Sequence, residues 1–204
     1  MPDSIKAVVF AAWRTVGAFL SPSRAGNLRR LRERGESMES LILREATAAD
    51  IPALAQLHVT TWNATYAPML MNGPPAHVRE QQWRDAFAKQ DGTWFCFVVE
   101  NLRGELVGFA KGVRSDHPEY GGELSKIYLL REYQGMGLGK RLLGHVARRF
   151  LSQGITSMWL FGDARNPSAA VWRALGAIKT DADPGNGNYG WRDLRALAAR
   201  CPAE

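Results

Sequence analysis

The feature that most constrains the fold of this 204-residue chain is a change of periodicity across a glycine-rich turn. Residues 123–130, which end in the apolar run from Ile127 to Leu130, are predicted to form a strand. After the turn, apolar residues recur every four positions, as on the buried face of a helix: Leu138, Leu142, Val146 and Phe150. A strand joined by a tight turn to a helix that packs back on it is a unit of α/β folds, so this segment predicts a mixed α/β domain.

The turn itself is a candidate anion site. It carries three alternating glycines, Gly135, Gly137 and Gly139. Glycines leave backbone N–H groups uncovered, and the start of the helix adds partial positive charge, an arrangement that suits a diphosphate. Lys140 and Arg141 either add charge or are solvated surface. A dinucleotide fingerprint needs glycine at position 140, and a Walker A loop needs glycine where Gln134 stands, so neither motif fits.

Apolar patterning and turn residues predict the remaining elements. We expect strands at 41–46, 94–99, 106–110, 123–130 and 157–161, and helices from 50 to 62 or 66, at 77–88, 138–154 and 168–175. A polar loop is expected between residue 110 and residue 123. Asn186 and Gly187 predict a final hairpin.

Two motifs resemble those of a known family. Gln134-Gly-Met-Gly137-Leu-Gly139 is similar to the Gln/Arg-x-x-Gly-x-Gly/Ala signature of the GNAT superfamily of acyl-CoA-dependent N-acetyltransferases. Downstream, Asn166 followed by Trp172 and a Leu-Gly pair resembles that superfamily's last helix. The resemblance covers roughly residues 41–191. It implies a mixed, mostly antiparallel central sheet flanked by helices, with strands that splay apart at the cofactor site.

The resemblance also implies a cosubstrate, acetyl-CoA, and the residues that bind it. Backbone groups of the strand end would pair with the pantetheine arm, the turn would hold the pyrophosphate, and an asparagine would hydrogen-bond the cofactor. These cofactor-binding residues are Tyr128, Leu129, Leu130, Gln134, Gly135, Met136, Gly137, Leu138, Gly139, Lys140 and Asn166. The reaction implied is direct acetyl transfer to a primary amine of a small molecule or a protein N-terminus.

Such a transfer needs a base, an oxyanion donor and a proton for the leaving thiolate. Glu123 is the expected catalytic base, acting through water, although it also fits a solvated residue at a strand start; a backbone N–H near Leu129 or Leu130 is the expected oxyanion donor. The weaker base candidates are His117, Glu119 and Tyr120. Where the family often has a tyrosine as general acid, this chain has Trp172, whose indole cannot deliver a proton. Tyr128, Tyr189 or water are possible substitutes.

The acceptor site is expected on the first two helices and their loop. The predicted substrate-binding residues are Trp62 and Tyr66, with His58 and residues 69–71 nearby, although aromatic residues at helical spacing also fit core packing. No acidic cluster indicates a polyamine site, and no metal-ligand spacing is visible, so no metal is expected.

The basic balance of the chain is concentrated at its start. The net charge is +6, of which residues 1–37 carry +4 and residues 38–204 carry +2. A nearly neutral main body argues against nucleic acid as a partner. We therefore expect a basic extension of unknown role at 1–37, with little membrane contact, and an N-acetyltransferase domain at 38–204. A cytoplasmic location is expected, and a homodimer is compatible with the sequence. The alternative is a catalytically weak acyl-CoA-binding module whose extension contacts a membrane or a partner.

Overall fold

A computed structural model describes residues 24–66, 73–89, 91–162, 169–180 and 187–201. The helices within these residues are α1 (Arg24–Glu33), α2 (Ile51–Tyr66), α3 (Ala76–Ala88), α4 (Leu138–Ser152), α5 (Ala169–Ala174) and α6 (Leu194–Arg200). The strands are β1 (Ile42–Glu45), β2 (Trp94–Glu100), β3 (Leu106–His117), β4 (Tyr120–Leu129), β5 (Met158–Leu160), β6 (Ile178–Lys179) and β7 (Tyr189–Trp191). The predicted fold class, α/β with a helix-flanked sheet, is confirmed.

The described strands form one mixed sheet in the order β1-β2-β3-β4-β5-β7-β6. Neighbouring strands are antiparallel except β4 and β5, which are parallel. The sheet is therefore mostly antiparallel, as expected, and its single parallel pair lies near the middle.

Helices cover both faces of the sheet and bury two apolar clusters. On one face, Leu142, Val146 and Phe150 of α4 are fully buried, which is the predicted four-residue stripe. Phe150 lies so close to Gly112 of β3 and Gly122 of β4 that a Cβ at either glycine would come within about 3.0 Å of its ring. On the other face, α2 and α3 pack against β2 and β3. The glycines thus allow α4 to sit tightly against the two longest strands.

Part of the basic extension packs against the rest of the domain. Leu31 of α1 is 2% exposed and belongs to the same apolar cluster as α4. Asn27 is fully buried, and the carboxylate of buried Glu36 accepts a hydrogen bond of 2.8 Å from the Tyr133 hydroxyl. The expected boundary between residues 37 and 38 therefore follows a segment that contacts the domain, and the role of the extension stays a prediction.

The polar loop expected after residue 110 was wrong: β3 continues to His117 and pairs with β4 along that length. From Lys111 onward, outward-facing polar side chains alternate with more buried positions, so the apolar run ends before the strand does. The sequence analysis also missed α6. Asp193 caps its start, and the Asp193 side chain accepts hydrogen bonds from two backbone N–H groups of the first turn. No helix in the described part of the chain is both long and apolar enough to cross a membrane.

Candidate functional site

A cleft opens where β4 and β5 separate. The two strands pair only at Gly122 with Met158 and at Glu123 with Trp159, although β4 runs on to Leu129. Beyond Glu123 the gap becomes a cleft of about 830 Å³, including its open mouth, lined by residues 124–129 of β4 and residues 160–162 after β5. The predicted splaying of the strands is confirmed, and it leaves one edge of β4 without a neighbouring strand.

The exposed edge of β4 presents backbone groups to the cleft. The Leu130 N–H donates to the Val107 carbonyl at 2.9 Å, and the Leu130 carbonyl accepts from the Tyr133 N–H at 2.9 Å, so both groups are engaged. Because backbone groups alternate in direction along a strand, the N–H of Leu129 points the other way, into the cleft. The Leu129 carbonyl accepts a 3.0 Å hydrogen bond from the Gln134 side chain, which links this edge to the glycine turn.

The glycine turn has buried apolar side chains on one side and exposed glycines on the other. Met136 and Leu138 are 5% and 1% exposed and anchor the turn in the core. Gly135 and Gly137 have φ of 74° and 96°, a left-handed conformation that favours glycine. Gly137 precedes α4, whose first N–H groups have no partner within the helix. The turn therefore offers outward-pointing amides at a helix start, which is the geometry expected for a diphosphate.

The remaining predicted cofactor residues are placed differently. Lys140 is exposed on the first turn of α4, and Gly139 lies within 4 Å of Leu129, counted from an ideal Cβ. Tyr128 and Gln134 line the cleft itself. Asn166 lies outside the described residues.

Glu123 lies at the point where the cleft begins. It is the last residue of β4 that pairs with β5, and it is half-buried. Burial lowers the pKa of both Lys111 and Lys126, and the negative charge of Glu123 opposes this by raising each pKa to a smaller extent. The three weaker base candidates lie at the turn between β3 and β4: His117 packs on the rings of Tyr120 and Trp159 at 5.0 Å, and Glu119 is paired with Arg192 at 3.1 Å.

The candidate proton donors have different surroundings. Trp172 lines the cleft and packs edge-on against Trp191, with ring centroids 6.1 Å apart. Tyr128 also lines the cleft; burial raises its pKa above the ordinary value, and its hydroxyl is hydrogen-bonded to Tyr66. Tyr189 is 5% exposed, and its hydroxyl accepts a hydrogen bond from Arg173 at 3.3 Å. A tyrosine with a raised pKa keeps its proton at neutral pH, so it can donate a hydrogen bond but is a poor source of a proton.

The two predicted substrate-binding residues stack on each other. Tyr66 lines the cleft, and its ring lies 4.3 Å from that of Trp62. His58 is 2% exposed, and burial followed by the charge of Arg79 lowers its pKa to about 3, so it is neutral at physiological pH. Residues 69–71 lie outside the described part of the chain.

The sequence analysis missed three cationic residues on the same side of the sheet as His58. These are Arg79 on α3, Lys111 on β3 and Lys126 on β4. A signal was available for two of them. Arg79 precedes Trp83 and Phe87 at four-residue spacing on a buried stripe, and Lys126 interrupts an apolar strand. Among the described residues, no group of three or more His, Cys, Asp or Glu is placed to hold a metal ion.

Comparison with known sequences identifies relatives. The sequence model of the Acetyltransferase (GNAT) family matches residues 51–177. An uncharacterized N-acetyltransferase of Bacillus subtilis (strain 168), YuaI, is 31% identical over 173 residues, which cover 76% of this chain and 95% of that protein. A mycothiol acetyltransferase of Paenarthrobacter aurescens (strain TC1) is 32% identical over 109 residues, covering 48% of this chain and 33% of that protein.

Solved structures share the fold at low identity. A PaiA N-acetyltransferase from Thermoplasma acidophilum in complex with coenzyme A has a TM-score of 0.57 and 20% identity, covering 74% of this chain and 98% of that one. A spermidine N-acetyltransferase from Vibrio cholerae in complex with CoA and spermine has a TM-score of 0.58 and 16% identity, covering 78% and 99%. With the family match spanning more than half of its residues, this chain belongs to the GNAT family of acetyltransferases.

Proposed function

We propose that this protein transfers an acetyl group from acetyl-CoA directly to a primary amine of a small molecule or a protein N-terminus. The observation that carries the proposal is the separation of β4 from β5 after Glu123, because it exposes the Leu129 N–H to a cleft that extends to Gln134, the residue before the glycine turn. When bound, acetyl-CoA supplies the activated acetyl group as a thioester. The proposed location is the cytoplasm, as expected from the sequence.

The residues present fit this cosubstrate. The amides at the start of α4 suit the pyrophosphate, and the free edge of β4 suits an extended, amide-containing arm, with Ile127 and Leu129 pointing their backbone groups toward it. The Leu129 N–H is then the donor placed to stabilise negative charge on the acyl oxygen. Because Leu130 uses both of its backbone groups within the protein, we assign it no such contact.

Glu123 is our proposed base. It is the last residue of β4 that pairs with β5 and directly precedes Leu124 of the cleft lining, from where it would accept a proton from the acceptor amine directly or through water. Trp172 lines the opposite wall but cannot supply a proton. Tyr128 would therefore stabilise the leaving thiolate by a hydrogen bond, and the proton itself would come from water.

The test has two measurements on the full chain. A thermal-shift titration with acetyl-CoA measures binding, and thiol release with a panel of amines measures transfer. Saturable stabilisation together with amine-dependent thiol release supports the proposal. Stabilisation without thiol release from any amine favours the second candidate, an acyl-CoA-binding module, for which Trp172 is the specific observation.

A further inference from the structure

We propose that the acceptor carries a carboxylate beside its amine, as an amino acid does, and that Lys126 binds this carboxylate with Arg79 and Lys111 behind it. The inference rests on the proposed function and narrows its substrate class. It comes from a cluster of three cationic side chains, of which Lys126 lines the cleft and the other two lie next to it, without carboxylate partners within salt-bridge distance among the described residues.

Arg79 is the most buried of these cations. Its residue is 8% exposed, and its guanidinium lies 5.1 Å from the centre of the Trp62 ring. Among the described residues, it donates one side-chain hydrogen bond, from Nη1 to Gln82 at 3.0 Å, and its buried Nε has no partner. Burial lowers its pKa. An arginine in this position is short of both a counter-charge and hydrogen-bond acceptors.

The two lysines belong to the same positive region, which reaches the cleft at Lys126. Lys126 lines the cleft, and the Lys111 ammonium lies over the rings of Trp83 and Trp94 at 5.3 and 4.7 Å. Burial lowers the pKa of both lysines. The charge of Lys126 lowers the pKa of Lys111 further, and the charge of Arg79 lowers the pKa of Lys126 further. The three cations are therefore close enough to repel one another.

The negative charge nearby is smaller than the positive charge. Within the described residues, Glu123 is the carboxylate whose charge acts on Lys111 and Lys126. Among the described residues, three cations face one carboxylate, which leaves an excess of positive charge. The indole N–H groups of Trp62 and Trp83 are buried without a hydrogen-bond partner in the described part of the chain and add donors near the cluster.

This arrangement favours one class of acceptor over another. Buried cations that have lost their hydration are stabilised by a bound anion, because its oxygens accept their hydrogen bonds. Such charge-assisted hydrogen bonds are stronger than those between neutral groups. A polyamine would bring further positive charge against Lys126 and be repelled. The same positive field favours the neutral form of the reacting amine, which is the nucleophilic form.

Calorimetric titration of the CoA-saturated protein tests the proposal without requiring turnover. The probes are the standard amino acids, each paired with its α-amide, and spermine. The amide keeps the amine and the side chain but loses the negative charge. We expect at least one amino acid to bind saturably, with its amide about ten- to a hundredfold weaker, the range for loss of a charge-assisted hydrogen bond.

Variants assign the effect to the cluster. Lys126→Met keeps most of the buried stem and should weaken the amino acid about ten- to a hundredfold while leaving the amide unchanged. Arg79→Gln should act in the same direction, and Lys89→Met, an exposed lysine at the end of α3, is the matched control. Melting temperatures establish that each variant is folded.

The outcomes separate this inference from the proposed function. Absence of saturable binding by every amino acid, an amide that binds as well as its acid, tighter binding of spermine, or equal loss of acid and amide in Lys126→Met would each overturn it. Amino-acid binding without thiol release from acetyl-CoA would instead overturn the proposed function and leave the carboxylate site standing.

Discussion

Replacement of Asn27 by alanine is expected to destabilise the protein through the glycine turn. The Asn27 amide nitrogen donates to the Arg131 carbonyl at 3.2 Å and to the Gln134 carbonyl at 2.8 Å. These carbonyls stand at the two ends of the short helical turn that leads into the glycines. Asn27 is fully buried, so water does not already compete for these bonds.

The magnitude follows from these two contacts. A net contribution of about 1 kcal/mol per hydrogen bond gives about 2 kcal/mol for Asn27→Ala. For a chain of this length, that corresponds to a fall in melting temperature of about 4–8 °C. Since Gln134 precedes the glycines of the proposed cofactor turn, we also expect acetyl-CoA to bind more weakly, measured as a higher Kd by titration.

Two further variants make the prediction sharper. Asn27→Asp has almost the same shape but directs carboxylate oxygens at two carbonyl oxygens, so it should be less stable than Asn27→Ala. Arg29→Ala is the control, because its ion pair with Glu33 is exposed and spans one turn of the same helix, a kind of pair worth about 0.3–0.5 kcal/mol. Equal stability of wild type, Asn27→Ala and Asn27→Asp would refute the role of these hydrogen bonds.

Three other predictions concern the active site, the thiols and the effect of pH. Glu123→Gln should lower kcat at neutral pH by about 10²–10⁴-fold, whereas Trp172→Tyr should leave or raise it; an unchanged pH–rate profile in Glu123→Gln would remove Glu123 from the mechanism. Burial raises the pKa of Cys96 to about 12, so its thiol should resist a thiol reagent at pH 8 until the protein unfolds, and labelling of the native chain at Cys96 would contradict this. The pKa of His58 is about 3 when folded, against 6.5 ordinarily, so unfolding takes up a proton between these values. The free energy of unfolding should therefore fall by about 1.4 kcal/mol per unit as pH decreases from 6.5 toward 3, and His58→Phe, compared by denaturant titration, should lose this slope.

The fold could be predicted where the period of apolar residues matches the element. Leu142, Val146 and Phe150 gave the buried stripe of α4, and the apolar run of β2 gave a strand within one residue of its observed end. The second half of β3 could not be predicted in this way. Its polar residues face outward beyond Lys111, and what keeps them in a strand is pairing with β4, which is a non-local interaction.

The α1 helix illustrates the same limit at the start of the chain. Its composition is strongly basic, and charge alone describes it as a solvated extension. Its anchoring residues, Asn27 and Leu31, are one polar and one apolar side chain four positions apart, both buried. Nothing in the local pattern indicates that Asn27 meets carbonyl groups more than one hundred residues away.

The candidate site also has one part that could be predicted from local sequence and one part that could not. The proposed cofactor side is local in sequence, because a strand end, a glycine turn and a helix start follow one another from Glu123 to Lys140, so a short motif is enough to indicate it. The proposed acceptor side combines Arg79, Lys111 and Lys126 from a helix and two strands. Their common property is burial without a carboxylate at salt-bridge distance among the described residues, and it exists only after the sheet and α3 have packed together. A motif can therefore identify the donor of the acetyl group, whereas the acceptor has to be inferred from the charges that folding brings together. This is why the matched acid and amide probes, which vary only the charge offered to that cluster, test the specificity more directly than any further comparison of sequence.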